Sequence, residues 1–207
     1  MAHRPRSEMI AKTRAKLLAA ARHAFGTMGY AEASMDDFTA EAGLTRGALY
    51  HHFGDKKGLL RAVIAEIDAE MNARLREVSG RADSLWQGFC DECIAYLEMA
   101  LEPEIRRIVL RDGPSVLGDP SAWDSQSECI ASMAGSLRCL AGDGVIVRVD
   151  PEATARLLNG AMLHAAQWIA NAPDPDVAAR HSIQAFGALL SGLLKQRTAD
   201  DQGRRAG

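Results

Sequence analysis

The sequence predicts an all-α fold, on three observations. Apolar residues recur at three- and four-residue spacing almost throughout the chain. Alanine is plentiful and aromatics make up only 5%, a balance that favours helices over sheets. The one strand-like stretch, Val145 to Val149, has no second strand to pair with and reads as a loop.

Taken in order, Ile10, Leu17, Leu18, Ala21, Phe25 and Met28 form the stripe of a first helix, stopped by Gly29. Ser34 reads as the N-cap of a short second helix, with Asp37 as its capping-box partner, Phe38 on its inner face and Gly43 at its end. Thr45 caps a third short helix that carries Leu49 and Phe53 and breaks at Gly54-Asp55. Asp55 then opens a long fourth helix with Leu60, Val63, Ile64, Ile67, Met71, Leu75 and Val78 inward. A fifth carries Trp86, Phe89, Cys90, Cys93, Leu97, Ala100 and Leu101. Pro103 suits the first position of a sixth, with Ile105, Ile108 and Val109, which Gly113-Pro114 is expected to terminate. After a loop with Gly118 and Pro120, a seventh bears Trp123, Ile130, Met133, Leu137 and Leu140. Asp150-Pro151 and Asp174-Pro175 are matching cap and first-turn pairs that open an eighth and a ninth helix.

Composition narrows the function. The 207 residues are 47% apolar and 25% charged, which excludes a mainly disordered or collagen-like chain. No run reaches the length of a membrane span, and the start, Met1-Ala-His-Arg-Pro-Arg, shows no apolar signal region. Four cysteines without an export signal imply reduced thiols, so the expected location is the cytoplasm. The net charge of −3 is unevenly spread: ten Lys/Arg against six Asp/Glu leave residues 1–64 at +4 and the remainder at −7. A basic end on an acidic body points to a polyanionic partner. Enzyme signatures are missing: there is no P-loop, nucleophile elbow, HExxH or dinucleotide fingerprint, and Gly142-Asp-Gly144 is a turn after a helix. No cofactor is expected.

The most informative stretch is Ser34 to Phe53, SMDDFTAEAGLTRGALYHHF. Two short helices joined by a turn containing Gly43 make a helix-turn-helix. The glycine fits because that turn wants a left-handed backbone. Phe38, Ala42, Leu44 and Leu49 hold the two helices at a fixed angle, leaving Thr45, Arg46, Gly47, Ala48, Tyr50 and His51 outward. One cation, hydroxyls and small residues at a protruding helix start suit entry into a major groove.

Residues from about Thr13 to Ile67 resemble the DNA-binding domain of the tetracycline-repressor family. The resemblance is carried by Leu17-Leu18, Ala20-Ala21, Phe25 and Gly29-Tyr30, then by Gly43-Leu-Thr-Arg-Gly-Ala-Leu-Tyr-His-His-Phe and Asp55-Lys56. It implies a flexible basic arm at 1–8 with Arg4 and Arg6 at a minor groove, a DNA-binding domain at 9–68, a ligand-binding and dimerisation domain at 69–196, and a disordered tail at 197–207. It also implies roles. Ser34 joins the contacts, Thr45, Tyr50 and Lys56 meet phosphates, Arg46 reads a guanine, Gly47 and Ala48 permit close approach, and His51 sits at the groove or backbone.

Two such heads are needed for useful affinity. Helices eight and nine mix large and small apolar residues, and Leu157, Gly160, Ala161, Phe186, Leu189, Leu190 and Leu193 are the expected dimer contacts. The family resemblance further implies an effector pocket enclosed by helices five to eight. Its candidate lining is Trp86, Phe89, Tyr96, Met99, Trp123, Met133, Leu137, Asn159, Met162, His164 and Trp168, which suits a flat or apolar small molecule. The implied whole is a homodimeric repressor released from a palindromic operator by such an effector. Two rival readings stay open. Cys90, Cys93, Cys129 and Cys139 could form a thiol switch or a soft-metal sensor, or the chain could be a helical protein–protein interaction module with a degenerate helix-turn-helix.

Overall fold

Most helices begin where a short polar side chain stands in for a missing carbonyl. In the computed structural model, which describes residues 6–196, the order is α1 (Arg6–Met28), α2 (Met35–Glu41), α3 (Arg46–Phe53), α4 (Lys56–Gly80) and α5 (Leu85–Met99), then α6 (Gly113–Leu117), α7 (Asp124–Gly142), α8 (Pro151–Asn171) and α9 (Pro175–Ser191). Thr45 accepts from the Ala48 amide, Asp55 from Gly58, Asp150 from Ala153 and Asp174 from Val177, as a helix N-cap should. Ser34 also caps, but its hydroxyl takes the Asp36 amide rather than that of Asp37.

The long α4 is the spine. Leu59, Leu60, Val63, Ile64, Ile67, Met71 and Leu75 are all buried along it, each worth about 1.5–3 kcal/mol of burial. It packs on α1 and α3 and most extensively on α5. The boundary expected at residue 68 therefore falls inside a continuous helix. Phe25, edge-on to Phe38 at 6.0 Å, fills the middle of the N-terminal unit. Beyond α4, α8 packs on α5, α7 and α9.

The structure departs from the sequence expectations at four places in the fold. Residues Ile105–Asp112 are wound as a π-helix that continues into α6, so Gly113-Pro114 does not end the helix. Gly113 has right-handed helical backbone there and serves as a packing glycine: an added Cβ would lie 2.8 Å from the Trp123 ring and 3.0 Å from Ile64. Pro114, which has no amide hydrogen, falls where the winding changes to α. Trp123 precedes α7 instead of riding on it. The Val145–Val149 loop does find a partner, since Ile146 forms an antiparallel bridge with Leu194 and the Val147 amide donates to the Leu193 carbonyl at 2.8 Å. At the amino end α1 starts at Arg6, so Arg6 to Glu8 are helical rather than part of an arm. Arg4 and the rest of the expected arm at 1–5, and the tail at 197–207, lie outside the described residues.

One contact at the α3–α4 junction is tighter than any side chain allows. An added Cβ on Gly58 would stand 2.0 Å from the Phe53 carbonyl oxygen, while the Gly58 amide is the one that Asp55 caps at 2.6 Å. Gly58→Ala is expected to destabilise the fold by about 1–3 kcal/mol through overpacking against backbone. Urea denaturation of the variant beside the parent measures it.

Candidate nucleic-acid interface and ligand cavity

The turn between α2 and α3 has the left-handed glycine that the sequence calls for: Gly43 has φ +65°, with Leu44 donating to the Thr39 carbonyl at 2.8 Å. Leu49 anchors α3 in the core, which turns Thr45, Arg46, Gly47, Tyr50 and His51 outward. Ala48 is half-buried against the core instead of fully presented, so of the two small residues Gly47 alone is fully exposed. The Thr45 hydroxyl accepts from Ala48 and keeps its own hydrogen to offer a phosphate. His52 lies against Phe53 and belongs to the support.

Two cations in this region are already engaged. The Arg46 guanidinium forms a bidentate pair with the exposed carboxylate of Asp36 on α2. Lys56 reaches back over the Tyr30 ring at 4.5 Å and donates to the Ala31 carbonyl at 3.4 Å. Burial lowers the Lys56 pKa. Sequence reasoning assigned neither partner, although an acid ten residues before Arg46 across a tight turn is a readable signal.

A polar seam ties this unit to the rest. Arg107, from the π-helical segment, donates to the carbonyls of Thr27 and Met28 at 3.1 and 2.8 Å, closing the end of α1. It lies so near Gly29 that an added Cβ would meet the guanidinium at 3.1 Å. Asp112 accepts from the Tyr30 amide at 2.8 Å. Glu104 and Glu70 share Arg22 of α1, each through two bonds of 2.7–2.8 Å. At the far side Arg111 donates to the Ala170 carbonyl near the end of α8 at 2.9 Å.

The same π-helical segment supplies Val109 and Leu110 to a chain of cavities inside the C-terminal body. An outer cleft of about 570 Å³ lies between α4 and the start of α7. It leads past Asp68, Asn72, Trp123 and Ser125 into a chamber of about 50 Å³, and that chamber shares Leu75, Tyr96 and Cys129 with an innermost one of about 30 Å³. Of the expected lining, Trp123, Tyr96, Asn159, Phe89, Met133 and Met162 do form walls. Met99 and Leu137 are core side chains off the cavity, and Trp86 stacks beside Phe89 at 6.3 Å without joining a wall. His164 and Trp168 are corrections: both face outward on α8, Trp168 at 51% exposure. They fall on the wrong side because α8 turns Met162, Leu163 and Ala166 inward.

The wall that sequence reasoning missed comes from α4. Asp68 sits deep in the body, where burial raises its pKa and a hydrogen bond with Ser125 pulls the other way. Its position was readable as a polar break in the apolar series Ile64, Met71, Leu75. Nearby, Asn159 donates to Gln126 at 3.0 Å, and Trp123 Nε1 is buried with no hydrogen-bond partner among the described residues.

The expected dimer contacts also divide. Phe186 and Leu190 are 3% and 1% exposed, packed inside their own chain, which corrects their placement at an interface. Leu193 is half-buried. Leu157 at 75% and Leu189 at 61%, with Gly160 and Ala161, remain on the surface. The inward face of α9, with Ala178, Ala179, Ser182, Phe186 and Leu190, packs against α5 as well as α8.

Residues 17–63 match the tetR family of bacterial regulatory proteins, and residues 86–193 match the tetracyclin repressor-like C-terminal domain. The chain belongs to the TetR family. A solved TetR-family transcriptional regulator from Pectobacterium atrosepticum is 52% identical, with a TM-score of 0.86 over 94% of this chain and 100% of that one. A regulator from Syntrophomonas wolfei at 17% identity and TM-score 0.70, over 90% of this chain and 99% of the other, shares the fold. Among curated proteins, the probable regulator ArpR of Pseudomonas putida is 33% identical over 47% of each chain. UidR of Escherichia coli is 38% identical over 31% of this chain and 33% of its own. The matched stretch thus spans less than half the length of these curated relatives. The TetR-family protein described here is a transcriptional regulator with a helix-turn-helix DNA-binding domain, and TetR regulators bind operator DNA and act as dimers. No helix among the described residues is long and apolar enough to cross a membrane.

Arg46→Ala is expected to flatten base preference at one position of each half-site, by roughly tenfold to a hundredfold. Lys56→Ala should weaken binding to all sequences about equally and reduce the salt slope by about one; anisotropy titrations on substituted duplexes distinguish the two. A carboxyl whose pKa is raised by folding stabilises only while protonated, and that contribution is lost as pH rises through its folded pKa. Asp68→Asn should therefore raise the melting temperature at neutral pH, with the gain vanishing once the pH falls below about 4. Thermal melts across that range read it.

Proposed function

We propose that this TetR-family chain is a ligand-responsive repressor, with a DNA-reading unit over residues 9–68 and a sensing and dimerising unit over 69–196. One observation carries the reading. The segment Ile105–Asp112 lines the cavity with Val109 and Leu110 and at the same time holds the end of α1 through Arg107 and Asp112. A ligand that fits the cavity better in one setting of this segment than in another would shift the angle of α1, and with it the spacing of two heads. Thr45, Arg46, Gly47, Tyr50, His51 and Lys56 would meet the duplex, with Ser34 and Ala48 at the margin.

Dimerisation is assigned to the surface stripe Leu157, Ala161, His164 and Trp168 on α8, at the spacing of one helix face, together with Leu189 on α9. Gly160 lets a partner helix come close. The two heads would then address half-sites roughly 34–36 Å apart. The thiol reading is weaker. Burial pushes Cys90 and Cys129 up to about 11 and Cys93 higher still, which keeps them protonated, the opposite of a reactive sensor.

Full-length protein titrated against the DNA upstream of its own gene should show specific binding that falls steeply with salt. Sequence-independent binding alone would reject the operator reading. Leu157→Glu and Leu189→Glu are expected to yield monomers by sedimentation, with DNA affinity falling in step; a surviving dimer would place the interface elsewhere.

A further inference from the structure

We propose that the cavity takes a ligand with one protonated amine on an apolar, ring-sized body, the amine seated at Asp68 and the body lying in the outer cleft against Trp123. This rests on the effector-cavity reading above and specifies its chemistry.

The charge pattern is the first argument. Glu66 and Glu70, the acids flanking Asp68 on α4, both lie against Arg22 on the opposite side of the helix, at 3.9 and 2.7 Å. Asp68 faces the cavity instead, with the Ser125 hydroxyl as its hydrogen-bond partner and no ion pair among the described residues. At the surface rim the lining is mixed, Arg61 and Arg76 against Asp124 and Glu128. Past the rim it is not. Asp68 is the one charged residue on the middle chamber, and Glu92 is the one on the innermost chamber. The charged groups that line the two inner chambers are thus both acids, with no cation beside them among the described residues, so an anionic group is opposed there and a cation finds a partner.

The walls are the second argument. Trp123 bounds both the cleft and the chamber, with Asp68 on the same two linings, and Tyr96 follows one step deeper. A carboxylate beside aromatic rings is the combination that holds an organic ammonium, by charge on one side and ring faces on the other. A cleft of about 570 Å³ has room for a body of two fused rings. The inner chambers, at about 50 and 30 Å³, admit only slender groups, so the bulk stays outside Asp68.

The test is isothermal titration calorimetry of the full chain at neutral pH with three matched probes: naphthylmethylamine, naphthylmethanol and naphthoic acid. The amine should bind at least about tenfold tighter than the alcohol, and the acid weakest. In Asp68→Asn, a variant expected to fold at least as stably as the parent, amine affinity should drop to that of the alcohol while the alcohol is unchanged. An alcohol or acid that binds as tightly as the amine, or an amine preference that survives Asp68→Asn, overturns the amine assignment and leaves the cavity reading standing. If none of the three binds, both fall together.

Discussion

The seam between the π-helical segment and the end of α1 is the constraint on which the rest of this molecule depends. Beside the continuous α4 and the Arg22–Glu104 pair, it is what fixes the end of α1 to the C-terminal body. Arg107 and Asp112 occupy the terminal carbonyls and first free amide after α1, groups that a helix end otherwise leaves to water. Because these bonds are directional and engage three backbone groups at the end of α1, a change in the set of the segment would be passed on as a tilt. Gly29 completes the fit: its backbone is left-handed at φ +88°, and an added Cβ would press on the guanidinium at 3.1 Å.

The π winding of Ile105–Asp112 bears on how that seam is held. Five-residue hydrogen bonding widens the turn and is held in place by what surrounds it, not by its own stability. Here the surroundings are a cavity on one side and ion-paired helices on the other: Val109 and Leu110 face the chamber while Glu104 grips Arg22. A segment whose winding is fixed by its neighbours is responsive to a change in them. Well-packed α-helices such as α4, with a continuous buried stripe, are not.

Much of this was legible in the residues. Caps such as Asp150-Pro151 and Asp174-Pro175 mark helix starts because proline is tolerated only in a first turn, and the structure starts α8 and α9 there. The α2–α3 turn was legible because Gly43 has a conformational job that few residues can do. The exposed set on α3 followed from one anchor, Leu49. What could not be read was tertiary choice. Phe186, Leu190, His164 and Trp168 sit on helices with two apolar faces, and a period of three or four does not say which face meets a neighbour in the same chain. Gly113 looked like a stop signal because close packing and chain breaking both ask for glycine, and only the Trp123 ring distinguishes them. Asp68 was passed over since a lone acid in an apolar series resembles an ordinary solvated position until α7 is laid across it.

The bidentate latch between Arg46 and Asp36 has a consequence for how such a head would search a genome. A fork already holding a carboxylate, even an exposed one, must give up that pair before it can bond to a duplex. For the proposed base reading, the edge best able to take the carboxylate's place is one that presents two acceptors in its own plane, as guanine does. Reading then becomes an exchange in which the resident acid competes on every step of the scan, and a base offering less leaves the fork closed and the protein free to slide on. Fidelity in that arrangement comes from the contact that is given up as much as from the one that is made.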